Sequence, residues 1–380
     1  MFSQLYYKNV LSKQFEIKAQ AKFSRNYYKY ISINNNIESG RQEDRITQWE
    51  YYASAGMLYK PHEYFSVSLI EDVFQNRLNS NYTDVDKPKR NTSLTALSAQ
   101  FVSQYLTITG SLLATYIDES VNSGDKPEDK KKITPSISLS YQPIKNTNLR
   151  IRTSYKKIFR VPTFNDMYYL RIGNRDLKPE YATQYNAGIA WTGTISNLVN
   201  FISASIDGYI NKVDDKIVPF PTVNIFKMRN YGKVDMKGLD VNVHTNASIT
   251  KDIALDVSGN YSYQKVIDVT DENSKNYKHQ IPYTPRHYGS GAISLENPWV
   301  NIAYSVIISG KRYALNQNIP DNEIKAYTDH NLSFNKSFSL GNNILRLQLN
   351  LTNLANKYYQ IINYYPMPGR SFTVSANYKF

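Results

Sequence analysis

The sequence has 380 residues, no cysteine and a formal net charge of +13, and although only 41% of its residues are hydrophobic, 33 are Tyr. The missing cysteine excludes a disulfide framework, and no run reaches the ~18 apolar residues of a membrane-spanning helix. The positive charge is scattered, with small clusters only at Lys87, Lys89 and Arg90 and at Lys130, Lys131 and Lys132; this excludes the basic stripe of a nucleic-acid-binding protein, so no nucleic-acid partner is expected.

In chain order, the opening MFSQLYYKNVLSKQF has no apolar signal-peptide core. A period of two then begins. Phe15, Ile17, Ala19, Ala21 and Phe23 oppose Glu16, Lys18, Gln20, Lys22 and Ser24. Ile133, Ile137, Leu139 and Tyr141 oppose Thr134, Ser136, Ser138 and Ser140. Leu149, Ile151 and Tyr155 oppose Arg150, Arg152, Ser154 and Lys156. Leu239, Val241 and Val243 face away from Asp240, Asn242 and His244, and Leu255, Val257 and Tyr261 from Asp256, Ser258 and Ser262. Leu345, Leu347, Leu349 and Leu351 alternate with Arg346, Gln348, Asn350 and Thr352, and the last strand sets Phe372, Val374, Ala376, Tyr378 and Phe380 on one side. Strict alternation spells strands with two unlike faces, and no segment carries a helical period.

The connections alternate too. Short ones fall at Lys60–Glu63, Ser103–Gln104, Gln142–Asn148, Gly193–Leu198, Ser248–Asp252, Glu296–Pro298 and Leu340–Asn343. Longer polar ones fall at 76–91, 120–131, 158–180, 214–229, 268–283, 313–324 and 354–369. A β-sandwich has no reason to gather its long loops at one end, whereas an outer-membrane barrel does so, with about sixteen strands counted here and long loops after the odd ones. The polar face fits water or a polar plug rather than a dry core, where each unpartnered group costs roughly 2 kcal/mol or more. The sequence therefore predicts an all-β, antiparallel transmembrane β-barrel.

Loop 158–180 carries the most particular pattern. It opens with IFRVPTFNDMYY (Ile158–Tyr169) and closes with GNRDLKPE (Gly173–Glu180). These boxes resemble the paired F-R-x-P and N-x-D-L boxes of TonB-dependent outer-membrane receptors, on Phe159, Arg160, Pro162, Asn174, Asp176, Leu177, Pro179 and Glu180. NYGKV (Asn230–Val234) with Gly238, Leu239 and Asp240, NLTNLANKYY (Asn350–Tyr359), and PGRSF (Pro368–Phe372, containing Gly369 and Arg370) with the terminal Phe380 resemble further stretches of that family in the same order. The resemblance is clear from about residue 130 onward and is one of pattern only before it.

Physical roles stand beside the resemblance. Pro162 and Pro179 stiffen the loop and stop strand pairing. Gly173 and Asn174 suit a tight turn at positive φ. Phe159 and Leu177 are expected to bury each other, worth roughly 1.5–3 kcal/mol for one such side chain, with Arg160 pairing to Asp176 or Glu180. Arg160, Tyr168, Tyr169 and Arg171 are candidate ligand contacts, an aromatic and cationic set suited to an aromatic or anionic siderophore. No His lies between the two boxes, which demotes haem as cargo. The five histidines have no metal-ligand spacing, and neither a catalytic triad pattern nor a phosphate loop occurs. No enzyme activity, cofactor or metal centre is expected.

The resemblance implies a receptor that imports a small metal chelate, an iron siderophore or cobalamin, across the bacterial outer membrane. Outer-membrane lipid, lipopolysaccharide and the TonB complex would be its partners. The family carries an N-terminal plug that fills the lumen, and its barrel has 22 strands. The expectation is thus an N-terminally truncated barrel, 1–380, lacking the plug and roughly six strands, which would not by itself support energised uptake. A passive porin-like or adhesin barrel is the alternative, and a soluble β-rich binding protein a third reading.

Overall fold

The computed structural model describes residues 1–33, 41–81, 87–122, 127–169, 172–196, 198–221 and 226–380. Strands form where the two-residue alternation runs: β1 (Phe2–Ser12), β2 (Phe15–Ile33), β3 (Arg41–His62), β4 (Phe65–Ser80), β5 (Lys89–Val102), β6 (Leu106–Ser120), β7 (Lys130–Tyr141), β8 (Asn148–Arg160), β9 (Glu180–Gly193), β10 (Val199–Pro221), β11 (Phe226–Ser248), β12 (Ala254–Asp268), β13 (His287–Glu296) and β14 (Asn301–Ser309). Two short hairpins sit within loops, β15 (Arg312–Tyr313) with β16 (Glu323–Ile324) and β19 (Gln360–Ile362) with β20 (Tyr365–Pro366). Between and after them run β17 (Tyr327–Leu340), β18 (Asn343–Thr352) and β21 (Ser371–Lys379). Seventeen of these strands enter one antiparallel sheet.

Seventeen is one more than the alternation suggests. β1 is the strand it does not pick out: adjacent Tyr6 and Tyr7, then Val10 and Leu11, place apolar groups on both faces, and only pairing with β2 from Phe2↔Ser24 onward reveals it. In the structure, therefore, the longer loops follow even-numbered β2, β4 and β6. Loop 214–229 is also mostly strand. β10 runs to Pro221 and β11 starts at Phe226, because Val213 and Ile217 are buried and hold this polar stretch against a neighbour.

The chain divides into two compact units: Met1–Leu139 with Ser154–Thr183 and Ile217–Asn230, and Ser140–Thr153 with Gln184–Lys216 and Tyr231–Phe380. In the first, β1 to β6 pair in sequence order. Residues directly opposite in a ladder share a face, so the register gives each face by transverse rows. Ile17, Met57, Leu69, Leu97 and Leu112 form one row across five strands. Phe15 and Tyr59, and Phe65 with Phe101, flank that row toward the turns, and Phe23 with Tyr51 flanks it toward the loops. Met57, Leu69, Leu97 and Leu112 are all exposed. Within the apolar band the carboxylate of Glu71 interrupts this face, and both its oxygens accept hydrogen bonds, from Ser93 and Thr95.

The opposite face is polar and internally paired. Glu16 bridges Lys8 and Lys18, Lys22 donates to Glu50 at 2.8 Å, Asn76 donates to the other Glu50 oxygen, and the Tyr52 hydroxyl donates to Asp72 at 2.9 Å. Buried polar groups need such partners.

The second unit repeats the segregation. From β11 through β12, β13, β14, β17 and β18 to β21, the register lines up Val241–Tyr261, Leu255–Leu295–Ile302–Phe334–Leu349–Val374 and Leu332–Leu351–Phe372 on one face. Asp240–Ser262, Asn260–Ser290 and Ser333–Asn350–Thr373 occupy the other. The apolar face is again exposed, with Ile293 at 48% and Leu347 at 40%. Leu345, Leu347, Leu349 and Leu351 lie on it with Phe338, Phe334 and Leu332 opposite.

At the loop end of this unit, the Arg312 guanidinium donates to the carbonyls of Gln360 and Ile361 at 2.6 and 2.9 Å and lies over the Tyr327 ring. Tyr327 stacks on Tyr359, centroids 4.3 Å apart, and the Tyr359 hydroxyl donates to Asp329 at 2.8 Å. These contacts tie loop 310–326 and loop 353–370 to β17. In the latter loop the Arg370 N–H donates to Asn356 Oδ1 at 2.9 Å, beside Gly369. The terminal Phe380 is 96% exposed.

Candidate functional site

The segment between β8 and β9 folds inward over the polar face of the first unit. Its start is set by sequence chemistry that the strand reading passes over. Thr163 and Asp166 form a capping box: the Thr163 hydroxyl accepts from the Asp166 N–H at 3.1 Å and the Asp166 carboxylate accepts from the Thr163 N–H at 2.9 Å. That reciprocal pair satisfies two end donors and starts a one-turn helix, α1 (Phe164–Tyr168). The T-x-x-D spacing was its available signal.

The helix brings together Phe164, Met167 and Tyr168, which bury against Leu177 of the second box, Leu78 of β4 and Ile217 of β10, with Ile46 and Met228 packed alongside. The two boxes do lie close, but the expected Phe159–Leu177 contact is corrected. Leu177 is 7% exposed and belongs to this cluster, whereas Phe159, at the end of β8, faces Tyr181 of β9 with centroids 5.3 Å apart. A strand residue a few positions before Pro162 is held by its ladder and cannot turn over with the loop.

Arg160 bridges two carboxylates, Asp166 at 3.1 Å and Glu180 at 3.4 Å. Glu180 also accepts the Ile217 N–H at 2.9 Å. Asp176 instead stays exposed, its N–H donating to Asn174 Oδ1 at 3.0 Å. The Asn174 side-chain amide reaches Met228 O at 3.1 Å. The second box is thus stitched to β11, and Asn230 completes the seam by accepting from the Lys178 N–H at 2.8 Å and donating to the Lys178 carbonyl at 3.0 Å.

Pro162 is buried and Pro179 half-buried. Gly173 is required by proximity, not by positive φ: a Cβ there would stand 2.6 Å from the Met167 carbonyl oxygen, and its N–H donates to Tyr169 O at 2.7 Å.

Of the candidate ligand contacts, Tyr168 is buried, Tyr169 is 44% exposed, Arg160 is engaged by its two acids, and Arg171 lies outside the described residues. Sequence reasoning missed Arg175, whose guanidinium lies 5.9 Å from the Tyr168 ring centroid. It also missed Arg90 of β5. Arg90 is buried, ion-paired to Glu119 of β6, and 5.0 Å from the Phe164 centroid. Arg90, Glu119, Lys130, Tyr168, Arg175 and Leu177 line a cleft of about 380 Å³ between this segment and the wall.

The alternation and the register define an all-β antiparallel wall with one apolar and one polar face. A family profile described as TonB dependent receptor-like, beta-barrel, matches residues 2–354, and the chain belongs to that family. It is similar to the vitamin B12 transporter BtuB of Vibrio cholerae serotype O1, 24% identical over 273 residues, which is 70% of this chain and 40% of the relative. It is also similar to the TonB-dependent receptor SusC of Bacteroides thetaiotaomicron, 28% identical over 125 residues, 30% of this chain and 12% of that protein.

Among solved structures, the copper transporter OprC aligns with a TM-score of 0.76 at 12% identity, covering 98% of this chain and 64% of its own. BauA, the ferric preacinetobactin receptor from Acinetobacter baumannii, aligns at 0.74 with 13% identity, covering 100% and 62%. At such identities the likeness is one of fold. The chain spans less than two thirds of the length of each of these relatives.

Proposed function

We propose that this chain forms receptor wall in the bacterial outer membrane for a scarce metal complex, an iron siderophore or cobalamin, whose import is driven through the TonB complex. The exposed apolar face, edged by Tyr and Phe rows, is the side toward lipid and lipopolysaccharide, since aromatic belts favour membrane–water boundaries. The polar face is the water-filled side. The observation that carries the ligand reading is the box segment folded over that polar face. It places Tyr168 and Arg175 on a cleft that Arg90 and Lys130 also line, these two paired with Glu119 and Glu128, so that the aromatic ring and the Arg175 guanidinium are the groups suited to an anionic or aromatic chelate. A passive pore has no reason to keep both boxes.

The complete protein, expressed in its natural host, tests this. Cells carrying it are expected to bind radiolabelled ferric chelates or cobalamin in the cold, and to accumulate the bound one on warming only while the membrane is energised. Accumulation that persists after the energy supply is collapsed, with equal entry of unrelated small solutes, supports the passive barrel instead.

A further inference from the structure

The loop-side margin of the first unit's exposed face carries a row of cations without acidic partners among the described residues. Arg25 of β2 stands opposite Trp49 of β3, Trp49 opposite Arg77 of β4, and Arg77 opposite Lys89 of β5. Four adjacent strands thus present Arg25, Trp49, Arg77 and Lys89 in one transverse row, about 14 Å from end to end at the usual strand spacing. The row lies two residues beyond Phe23 and Tyr51 on the same face, directly past the aromatic margin of the apolar band.

The local electrostatics are unfavourable as they stand. Arg77 and Lys89 are in direct cross-strand register, where like charges destabilise a ladder. Among the described residues none of the three cations forms a salt bridge; Arg77 donates only to the neutral Gln75 carbonyl at 3.0 Å, and Arg25 lies 5.9 Å from the Trp49 ring. The nearest acid of the row below, Asp118, stands opposite Asn91 and accepts from its side chain. Several other cations of this unit are paired, Lys22 with Glu50, Lys29 and Arg45 with Glu43, and Arg90 with Glu119.

We infer that Arg25, Arg77 and Lys89, with Trp49 between them, bind the phosphate groups of a phosphorylated lipid headgroup at the loop-side surface of the membrane. Guanidinium forks match phosphate oxygens in pairs, and an indole beside them suits the boundary between headgroup and acyl chains. The row's position selects a lipid over a free anion. The acyl chains of a lipid held by its phosphate lie along the Leu69–Leu97–Leu112 face, and a free anion gains nothing from that contact. This inference rests on the membrane reading of the exposed face.

The test is native mass spectrometry of the complete protein released from zwitterionic detergent micelles, with bisphosphorylated lipid A as the probe. The parent is expected to retain lipid A. The triple variant Arg25→Gln, Arg77→Gln, Lys89→Gln is expected to bind it roughly 100-fold more weakly, at about a factor of five per basic contact. A control variant with the same loss of charge at the turns, Lys13→Gln, Lys60→Gln, Lys251→Gln, keeps the parental affinity. Equal retention by the triple variant overturns the site, as does equal loss in the control or displacement of the lipid by equimolar inorganic phosphate. A protein that stays monodisperse without any detergent overturns the membrane reading itself, and the site with it. A detergent-requiring protein that fails the lipid arms sinks only the site.

Discussion

Single side chains decide how firmly the box segment is held. Leu177 sits in an apolar cluster drawn from α1, β4 and β10, so Leu177→Ala is expected to destabilise the segment by about 2–5 kcal/mol, the range for truncating a buried leucine. Phe159→Ala removes a half-buried ring pair and is worth about 0.5–1.5 kcal/mol. Asp176→Asn touches an exposed turn and falls within about 0.5 kcal/mol. Limited proteolysis of the complete protein in micelles should nick the segment in that order; equal nicking of all three would show that the cluster does not hold it. Gly173→Ala belongs with the severe class, since its methyl meets the Met167 carbonyl at 2.6 Å and backbone there has little room to yield.

Tyr359 supplies a pH dependence at the same scale. Burial, then its hydrogen bond to Asp329 and the Asp329 charge, push its phenol from an ordinary 10 up to about 12. The folded state therefore holds the phenolic proton more tightly than the unfolded chain. Its contribution is complete below about pH 10 and is lost as pH rises from there toward about 12. The protection of amides in loop 353–370, after division by the intrinsic base-catalysed rate, is expected to fall over that alkaline window, and Tyr359→Phe should remove the step. A step that survives in Tyr359→Phe assigns it to another group.

Among elements, the strands were legible because an exposed apolar face opposite a polar one leaves period two undiluted, as in Leu345 to Thr352. Legibility failed where both faces take apolar groups. β1, with its Tyr6–Tyr7 and Val10–Leu11 pairs, needed its ladder with β2 to be seen, and the β10–β11 ends look like a polar loop until Ile217 and Met228 are found packed under the boxes. The motif residues were visible, but their partners were not: Arg160–Asp166 depends on a one-turn helix too short for any periodicity, and Asn230 meets Lys178 across 52 residues of sequence. Because the Thr163–Asp166 box alone starts that turn, Thr163→Ala is expected to cost about 1 kcal/mol and to release Asp166 from its place beside Arg160. Hydrogen exchange at the Asp166 and Met167 amides reads this directly, and unchanged protection would mean packing alone shapes the turn.

On the scale of the whole molecule, the proposed receptor wall has its two ends on opposite sides of the outer membrane, the long loops outward and the tight turns toward the periplasm. These 380 residues hold no cysteine, so a single cysteine placed among them is the one labelling site within them. In intact cells making the complete protein, Asp176→Cys in the box segment is expected to react with a membrane-impermeant maleimide, while Asn342→Cys, in the turn between β17 and β18, reacts only after the outer membrane is permeabilised. Labelling of Asn342→Cys in intact cells, or failure of Asp176→Cys to label before permeabilisation, would contradict the orientation on which the receptor reading depends.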